Sequence, residues 1–414
     1  MKKDKTKKNI LLLLMCVIVV DVMGFGLVLP LLPNIFISSG GIMPMGISPT
    51  VKDIIYALAF IVWPLGSFFG NPILGKLSDR YGRKTILTTC LILSGISYII
   101  CGLAIISQSI VVFILGRLIS GFFCGSYDIA QAATVDISAP EDKVRNMSWI
   151  SFAVAIGIVI GPVLAVITSN KNIIPHASIV TPFWIAGGLS ILNALLIIIQ
   201  FHETNQYSDK VKIKLLSLFT SFTFIFKDKR VVLFGAITFL YSLSWGLYIV
   251  AMPLILKDHF GYGIMGCGIL FSLMGLGDAF SILFIQKKVL KIFTLKQTFS
   301  YATIGMCIVA IISGIIPTAT VELIGGFMIG VFHILAYASL LGICSNSVTG
   351  KEQGLIMGGM ASVGNLAMLI SGLLLPILVS IQILFPLIIV GIVFLTGSLL
   401  MLTKAKVKID SQSC

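Results

Sequence analysis

Gly75-Lys76-Leu77-Ser78-Asp79-Arg80-Tyr81-Gly82-Arg83-Lys84 places five charges between two long apolar runs. Charge at this density marks a water interface, so the stretch is expected to be a short loop joining two membrane helices. Glycines at 75 and 82 are expected to let the backbone turn and the helices approach. Asp79 is expected to accept hydrogen bonds from a neighbouring helix terminus or from an arginine. A bare run of Lys and Arg would be a solvated loop and no more. Here Gly, Asp, Arg, Gly and Arg are set at a fixed spacing, G-x-x-x-D-R-x-G-R-[RK].

The rest of the composition agrees with a membrane setting. The chain has 414 residues, of which 57% are hydrophobic and 11% charged, and its mean hydropathy is +1.07. That is far too apolar for an ordinary soluble domain, and it predicts an all-α integral membrane protein. The net charge of +13 does not point to nucleic acid, because the basic residues lie in short loops and not on one face of a folded domain. Seven of the eight cysteines (Cys16, Cys90, Cys101, Cys124, Cys267, Cys307, Cys344) fall in apolar runs and Cys414 at the tail, without metal-ligand or disulfide spacing. They read as small packing residues. Lys2, Lys3, Lys5, Lys7 and Lys8 before an apolar run resemble a signal peptide. No small-residue cleavage site follows, however, and similar segments recur along the whole chain.

Apolar runs broken by polar or Gly/Pro-rich turns predict twelve spans, over 10–35, 52–74, 85–106, 109–135, 146–168, 180–201, 231–256, 262–285, 297–316, 320–345, 353–380 and 382–403. Of the 29 Lys and Arg, only Lys52, Lys171 and Lys257 fall on one set of loops and Arg117 within a span; the other 25 lie on the opposite set and at the termini. This bias predicts that both termini and the long middle loop are cytoplasmic. The middle loop divides the chain into an N-terminal six-helix bundle (1–201), a linker (202–230) and a C-terminal six-helix bundle (231–414). The piece from Leu215 to Phe226, flanked by basic residues, is expected as an interfacial helix against lipid head groups. Short loops and compact termini are in the manner of a bacterial inner-membrane protein.

Ionisable side chains inside a membrane cost several kcal/mol unless they face a partner or water, so the few present are informative. They are Asp21, Arg117, Asp128, Asp278 and His333, with Asp136 and Glu322 at span ends. Asp21 opens Asp21-Val22-Met23-Gly24-Phe25-Gly26-Leu27-Val28-Leu29-Pro30-Leu31-Leu32-Pro33, and a carboxylate there can load and release a proton or pair with Arg117 as a fixed packing element. Asp128 lies eleven residues after Arg117, nearly the same face of one continuous helix and about 16 Å along it. It either lines a cavity or makes a local contact with Gln131 or Tyr127. Tyr241, Trp245, Tyr248 and Met252 recur at helical spacing on span 7, and Phe332, His333 and Tyr337 lie on span 10. Such a stripe serves either helix packing or a cavity for aromatic and amphipathic molecules. His333 is either a second titrating group or simply hydrogen-bonded to a neighbouring helix, and Asp278 either faces the central cavity or does not.

The 75–84 stretch matches the loop between helices 2 and 3 of the major facilitator superfamily. The Asp21 stretch is similar to the first-helix motif of its twelve-helix drug/proton antiporters, the tetracycline/proton antiporters in particular. Leu115-Gly116-Arg117-Leu118-Ile119-Ser120-Gly121-Phe122-Phe123-Cys124-Gly125 resembles their fourth-helix motif, and Gly157-Ile158-Val159-Ile160-Gly161-Pro162-Val163-Leu164-Ala165-Val166 their fifth-helix motif G-x-x-x-G-P-x-x-G-G, with Ala165-Val166 in place of the last glycine pair. The resemblance implies the major facilitator fold, two six-helix bundles of a secondary transporter that takes a small-molecule substrate in exchange for protons. It implies a proton gradient as energy source, no cofactor, lipid as surroundings and a monomer.

By the same resemblance, Asp21 and Arg117 carry proton coupling; Asp128 belongs to no motif of the family and joins them only by its spacing from Arg117. Gly75, Asp79, Arg80, Gly82, Arg83 and Asp136 gate, with Asp79, Arg83 and Asp136 latching the N-terminal bundle in its outward-facing state. Gly157, Gly161 and Pro162 form the antiporter helix. The aromatic and ionisable residues themselves, not the resemblance, give Phe25, Tyr241, Trp245, Tyr248, Asp278, His333 and Tyr337 as the expected substrate cavity. Efflux of drugs, with antibiotic resistance as its consequence, is the activity implied. Proton-coupled import of a nutrient is the alternative, favoured by the missing glycine pair and Asp128, and a non-transporting receptor or scaffold comes after it. No nucleophile and base pair, phosphate loop or metal cluster in the loops suggests an enzyme.

Overall fold

A computed structural model describes residues 2–38, 41–44, 46–139, 142–204, 225, 231–348 and 353–404. Twelve of its helices are long and apolar enough to cross a membrane. Spans 1 to 6 are Asn9–Val28, Pro49–Tyr81, Arg83–Ile106, Ile110–Ile137, Arg145–Ser169 and Thr181–Gln200. Spans 7 to 12 are Val232–Asp258, Ile264–Ile292, Leu295–Ile315, Ala319–Asn346, Ile356–Ile381 and Phe385–Lys404. No strand occurs among the described residues. Their outer faces are apolar, as lipid requires; Ile106, Ile199 and Ile292 are among the most exposed side chains.

Three ends depart from the sequence reading. Span 1 stops at Val28 instead of residue 35 and is followed by a short helix, Leu32–Phe36. The break falls at Pro30, whose ring would clash within a continuing helix, and Pro33 sits in the first turn of the short helix, where its missing N–H costs nothing. Span 2 continues to Tyr81, through most of the stretch expected to be a loop. Span 8 continues to Ile292, but with a π-helical segment at Ser281–Ile285. Span 4 is two helices, Ile110–Phe122 and Ser126–Ile137, separated by a turn at 123–125.

The chain divides into two compact units, one of Met1–Lys214 with Met252–Gly275 and the other of Leu215–Ala251 with Leu276–Cys414. In the first unit span 1 packs along span 5, span 2 along span 4 and span 3 along span 6; in the second, span 9 packs along spans 10 and 12. The contacts are made through small residues, as between helices that gain nothing by leaving lipid of equal apolarity. A Cβ on Gly157 would stand 2.8 Å from Val22, and one on Gly161 3.0 Å from the backbone nitrogen of Leu27. The ring of Pro162 lies over Gly26, with Cδ 3.2 Å from where a Cβ would be.

Val166, the residue that departs from the antiporter pattern, packs into the notch left by Gly268 of span 8, within the same unit. Cys90, Cys101, Cys267, Cys307 and Cys344 are buried and unpaired, consistent with packing, and Cys16 is exposed. Of the expected linker 202–230 and its interfacial helix, only 202–204 and 225 lie within the described residues, and Cys414 lies outside them.

Candidate functional site

Gly82 alone joins spans 2 and 3, at φ +94°, a backbone conformation that side chains with a Cβ rarely adopt. Gly75 lies inside span 2, and a Cβ there would meet nothing within 4 Å among the described residues, so the close approach expected of it is not made. Arg83 is the centre of the charged group. Its guanidinium pairs with Asp79 at 2.7 Å and Asp136 at 3.2 Å, and donates to the Ser78 hydroxyl at 2.6 Å. Arg80 lies over the ring of Tyr81, 5.2 Å from its centroid.

Glu203, at the end of span 6, completes the arrangement. Its two carboxylate oxygens accept from the backbone N–H groups of Arg83 and Lys84 at 2.8 and 3.0 Å. These are free donors at the start of span 3, where the helix dipole also favours an anion. Sequence reasoning passed over this residue, because a lone Glu after an apolar run carries no pattern. Its only trace is that it stands one residue after His202, at the end of a span.

Asp21 is half-buried in span 1 and accepts a hydrogen bond from the Ser126 hydroxyl. Ser126 opens the second half of span 4, just after the turn at 123–125. In the same turn Cys124 Sγ donates to Asn71 Oδ1 at 3.4 Å. The Asp128 side chain is exposed and interacts electrostatically with Asp21. Gln131 and Tyr127, expected as local partners of Asp128, bond to each other instead, at 2.6 Å. Since the helix is interrupted, the three-turn spacing from Arg117 to Asp128 does not apply. Phe25 packs on Trp63 of span 2, centroids 4.7 Å apart.

Arg117 makes no ion pair with Asp21. It is 1% exposed and none of its guanidinium nitrogens has a hydrogen-bond partner among the described residues; Tyr98 and Cys101 are the polar groups beside it. Ser126, Asn71 and Trp63 were not singled out from the sequence. The hydroxyl and the amide are common in apolar helices and show their role only once span 4 is seen to break.

In the second unit the structure joins residues that the sequence left separate. His333 Nδ1 is 3.1 Å from Asp278 Oδ1, the carboxylate 6% and the imidazole 13% exposed. Trp245 stacks on the imidazole with centroids 3.7 Å apart and planes 14° apart, and Tyr337 stacks at 6.0 Å. Tyr241 donates from its hydroxyl to the His333 carbonyl at 3.3 Å. The Ser281–Ile285 π-helical segment follows Asp278 within three residues. The result is a buried acid and imidazole faced by three aromatic rings. Tyr248 does not join it; its hydroxyl is buried without a partner among the described residues.

The sequence matches the family description Major Facilitator Superfamily over residues 14–241 and 234–412. It is 28% identical over 267 residues to the class B tetracycline resistance protein of Escherichia coli, 63% of this chain, and spans 61% of that relative's length. It is 24% identical over 407 residues to multidrug resistance protein 2 of Bacillus subtilis, covering 96% of each. The crystal structure of the human organic anion transporter MFSD10 (TETRAN) superposes with a TM-score of 0.73 at 18% identity, over 95% of this chain and 99% of that one. Twelve membrane helices, the one-residue turn with its Arg83 centre and a family match over nearly the whole length agree: the chain is an integral membrane protein that belongs to the Major Facilitator Superfamily.

Proposed function

We propose that the protein exports amphipathic or aromatic small molecules, drugs among them, in exchange for protons, as a monomer in a bacterial inner membrane with both termini cytoplasmic. In this reading the bundles of residues 1–201 and 231–414, tethered by 202–230, rock about a midplane site. The observation that carries the reading is the bond between Asp21 and Ser126. A hydroxyl donates to a carboxylate and accepts from a carboxylic acid, so Asp21 keeps a partner in both protonation states. Among the described residues no cation pairs with Asp21, and an uncompensated carboxylate at this depth is costly. A loaded proton and a cationic or polar substrate group are therefore alternative occupants of the Asp21 site. Asp128 lies near enough to bias the exchange.

The group around Arg83 gates, and the Asp278, His333, Trp245, Tyr241 and Tyr337 cluster binds substrate by stacking, with the acid and imidazole as polar contacts. Relatives named for tetracycline and multidrug resistance support export. The alternative of uptake rests on Ala165-Val166, and packing of Val166 on Gly268 supplies a structural reason for that change instead. Proton flux in everted vesicles energised by respiration tests the proposal, with separate panels of aromatic drugs and of nutrients. We expect drug-driven proton release in the wild type and none in Asp21→Asn of equal abundance and elution behaviour. Undiminished release by that variant would remove Asp21 from the mechanism; nutrient uptake into right-side-out vesicles with the drugs silent would reverse the direction.

A further inference from the structure

Glu322 lies in the first turn of span 10, after the Thr318 cap. Its side chain is 0% exposed, and neither carboxylate oxygen has a hydrogen-bond partner among the described residues. Two hydroxyls in the same condition accompany it, Ser313 of span 9 and Tyr248 of span 7, each 1% exposed. The Ser313 hydroxyl is the polar group beside the carboxylate, close enough to act on it though the pair is not aligned as a hydrogen bond. It also lies 3.4 Å from where a Cβ on Gly325 would stand, one turn from Glu322 on the same face of span 10. Tyr248 couples electrostatically to Glu322. Three unpaired buried polar groups within one unit are unusual, since such groups are nearly always satisfied.

Among the described residues nothing nearby compensates a charge. Among the described residues Glu322 makes no ion pair, and Gln353–Ile381, which packs on span 10, has no ionisable side chain. On span 9, Tyr301 and Lys296 lie twelve or more residues from Ser313, at least about 18 Å by helical rise; Cys307 is the remaining titratable group there. Further along span 10 itself, His333 with its Asp278 partner is eleven residues away, about 16 Å and nearly the same face. Four oxygens fall short of the six or more a hard metal cation takes. One proton, in contrast, turns a carboxylate oxygen into a donor and gives both hydroxyls a complementary partner.

We infer that Glu322, with Ser313 and Tyr248, is a second proton-binding site of the transport cycle, in the unit that does not hold Asp21. The proton comes from water at the end of the molecule where spans 9 and 10 join, neutralises the carboxylate, and returns to water when the site opens. This rests on the proton coupling proposed above, and on the orientation proposed there the site faces away from the cytoplasm. Infrared spectra of the purified protein in lipid test it without any substrate. A neutral carboxylic acid has a carbonyl stretch that ionised carboxylates and amides lack. We expect a component of that band to vanish in Glu322→Gln and to shift in frequency in Tyr248→Phe.

In proteoliposomes, Glu322→Gln is expected to keep substrate counterflow while acceleration by a proton gradient falls roughly tenfold, within the usual range of coupling between sites. A band unchanged by Glu322→Gln overturns the site. A band lost while gradient-driven transport keeps its rate and pH profile overturns its role in the cycle. A wild type that no gradient accelerates, with the band lost in the variant, refutes proton coupling and with it the role, but leaves a proton on Glu322.

Discussion

Glu203 illustrates what one side chain contributes at this membrane face. It satisfies two N–H groups at the start of span 3 with one carboxylate, and it does so from just beyond span 6, 120 residues away in sequence. Charge-assisted caps of this kind are stronger than neutral ones. Glu203→Ala is expected to cost about 1–2 kcal/mol, read as a thermal unfolding midpoint several degrees lower in detergent, with Glu203→Gln between it and the wild type because the amide offers one acceptor oxygen. An unchanged midpoint in Glu203→Ala would mean that water replaces the cap without loss. Gly82 belongs to the same scale, since its φ of +94° is the reason a glycine stands there.

Among the elements, spans 1 and 5 show how a sequence motif becomes a contact. Gly157, Gly161 and Gly26 remove side chains where the two backbones pass, and Pro162 fills the remaining space. The position where the pattern would continue with glycine is Val166, and there the missing side chain is on the other helix, at Gly268. This exchange is testable as a cycle. Val166→Gly is expected to destabilise by about 2 kcal/mol, from lost packing and a glycine in a helix. Gly268→Val is expected to destabilise by about 1–3 kcal/mol through crowding. The double variant should recover about 1 kcal/mol of their sum, because the two sites share one space. Simple additivity of the unfolding midpoints would argue that the two residues do not share it.

The first unit of the whole molecule is not a contiguous half of the chain, since it takes in Met252–Gly275. Residues 1–214 expressed alone are therefore expected to be degraded or to elute as aggregate, and co-expression with 215–414 to restore a folded, monodisperse protein. Stable, monodisperse 1–214 on its own would show that the segment is dispensable. At this scale the sequence was most legible: twelve spans follow from apolar length, because lipid leaves the backbone few other choices. The ends were less so, since Pro30 and the helical continuation through Asp79 depend on local hydrogen bonding. Least legible was the site. The approach of His333 to Asp278, the bond from Ser126 to Asp21 and the burial of Glu322 each join residues on different helices, and no spacing within one helix reports them.

The single residue between spans 2 and 3 has a mechanical consequence. Two long rods joined through Gly82 have no slack, so neither can slide or twist without carrying the other. Arg83 adds the end of span 4 through Asp136, and Glu203 adds the end of span 6, at the same point. Four rods thus share one pin. A joint of that kind passes on torque and absorbs none. When these spans tilt they must tilt together, and bending is left to places where the rods are already broken, such as the turn at 123–125.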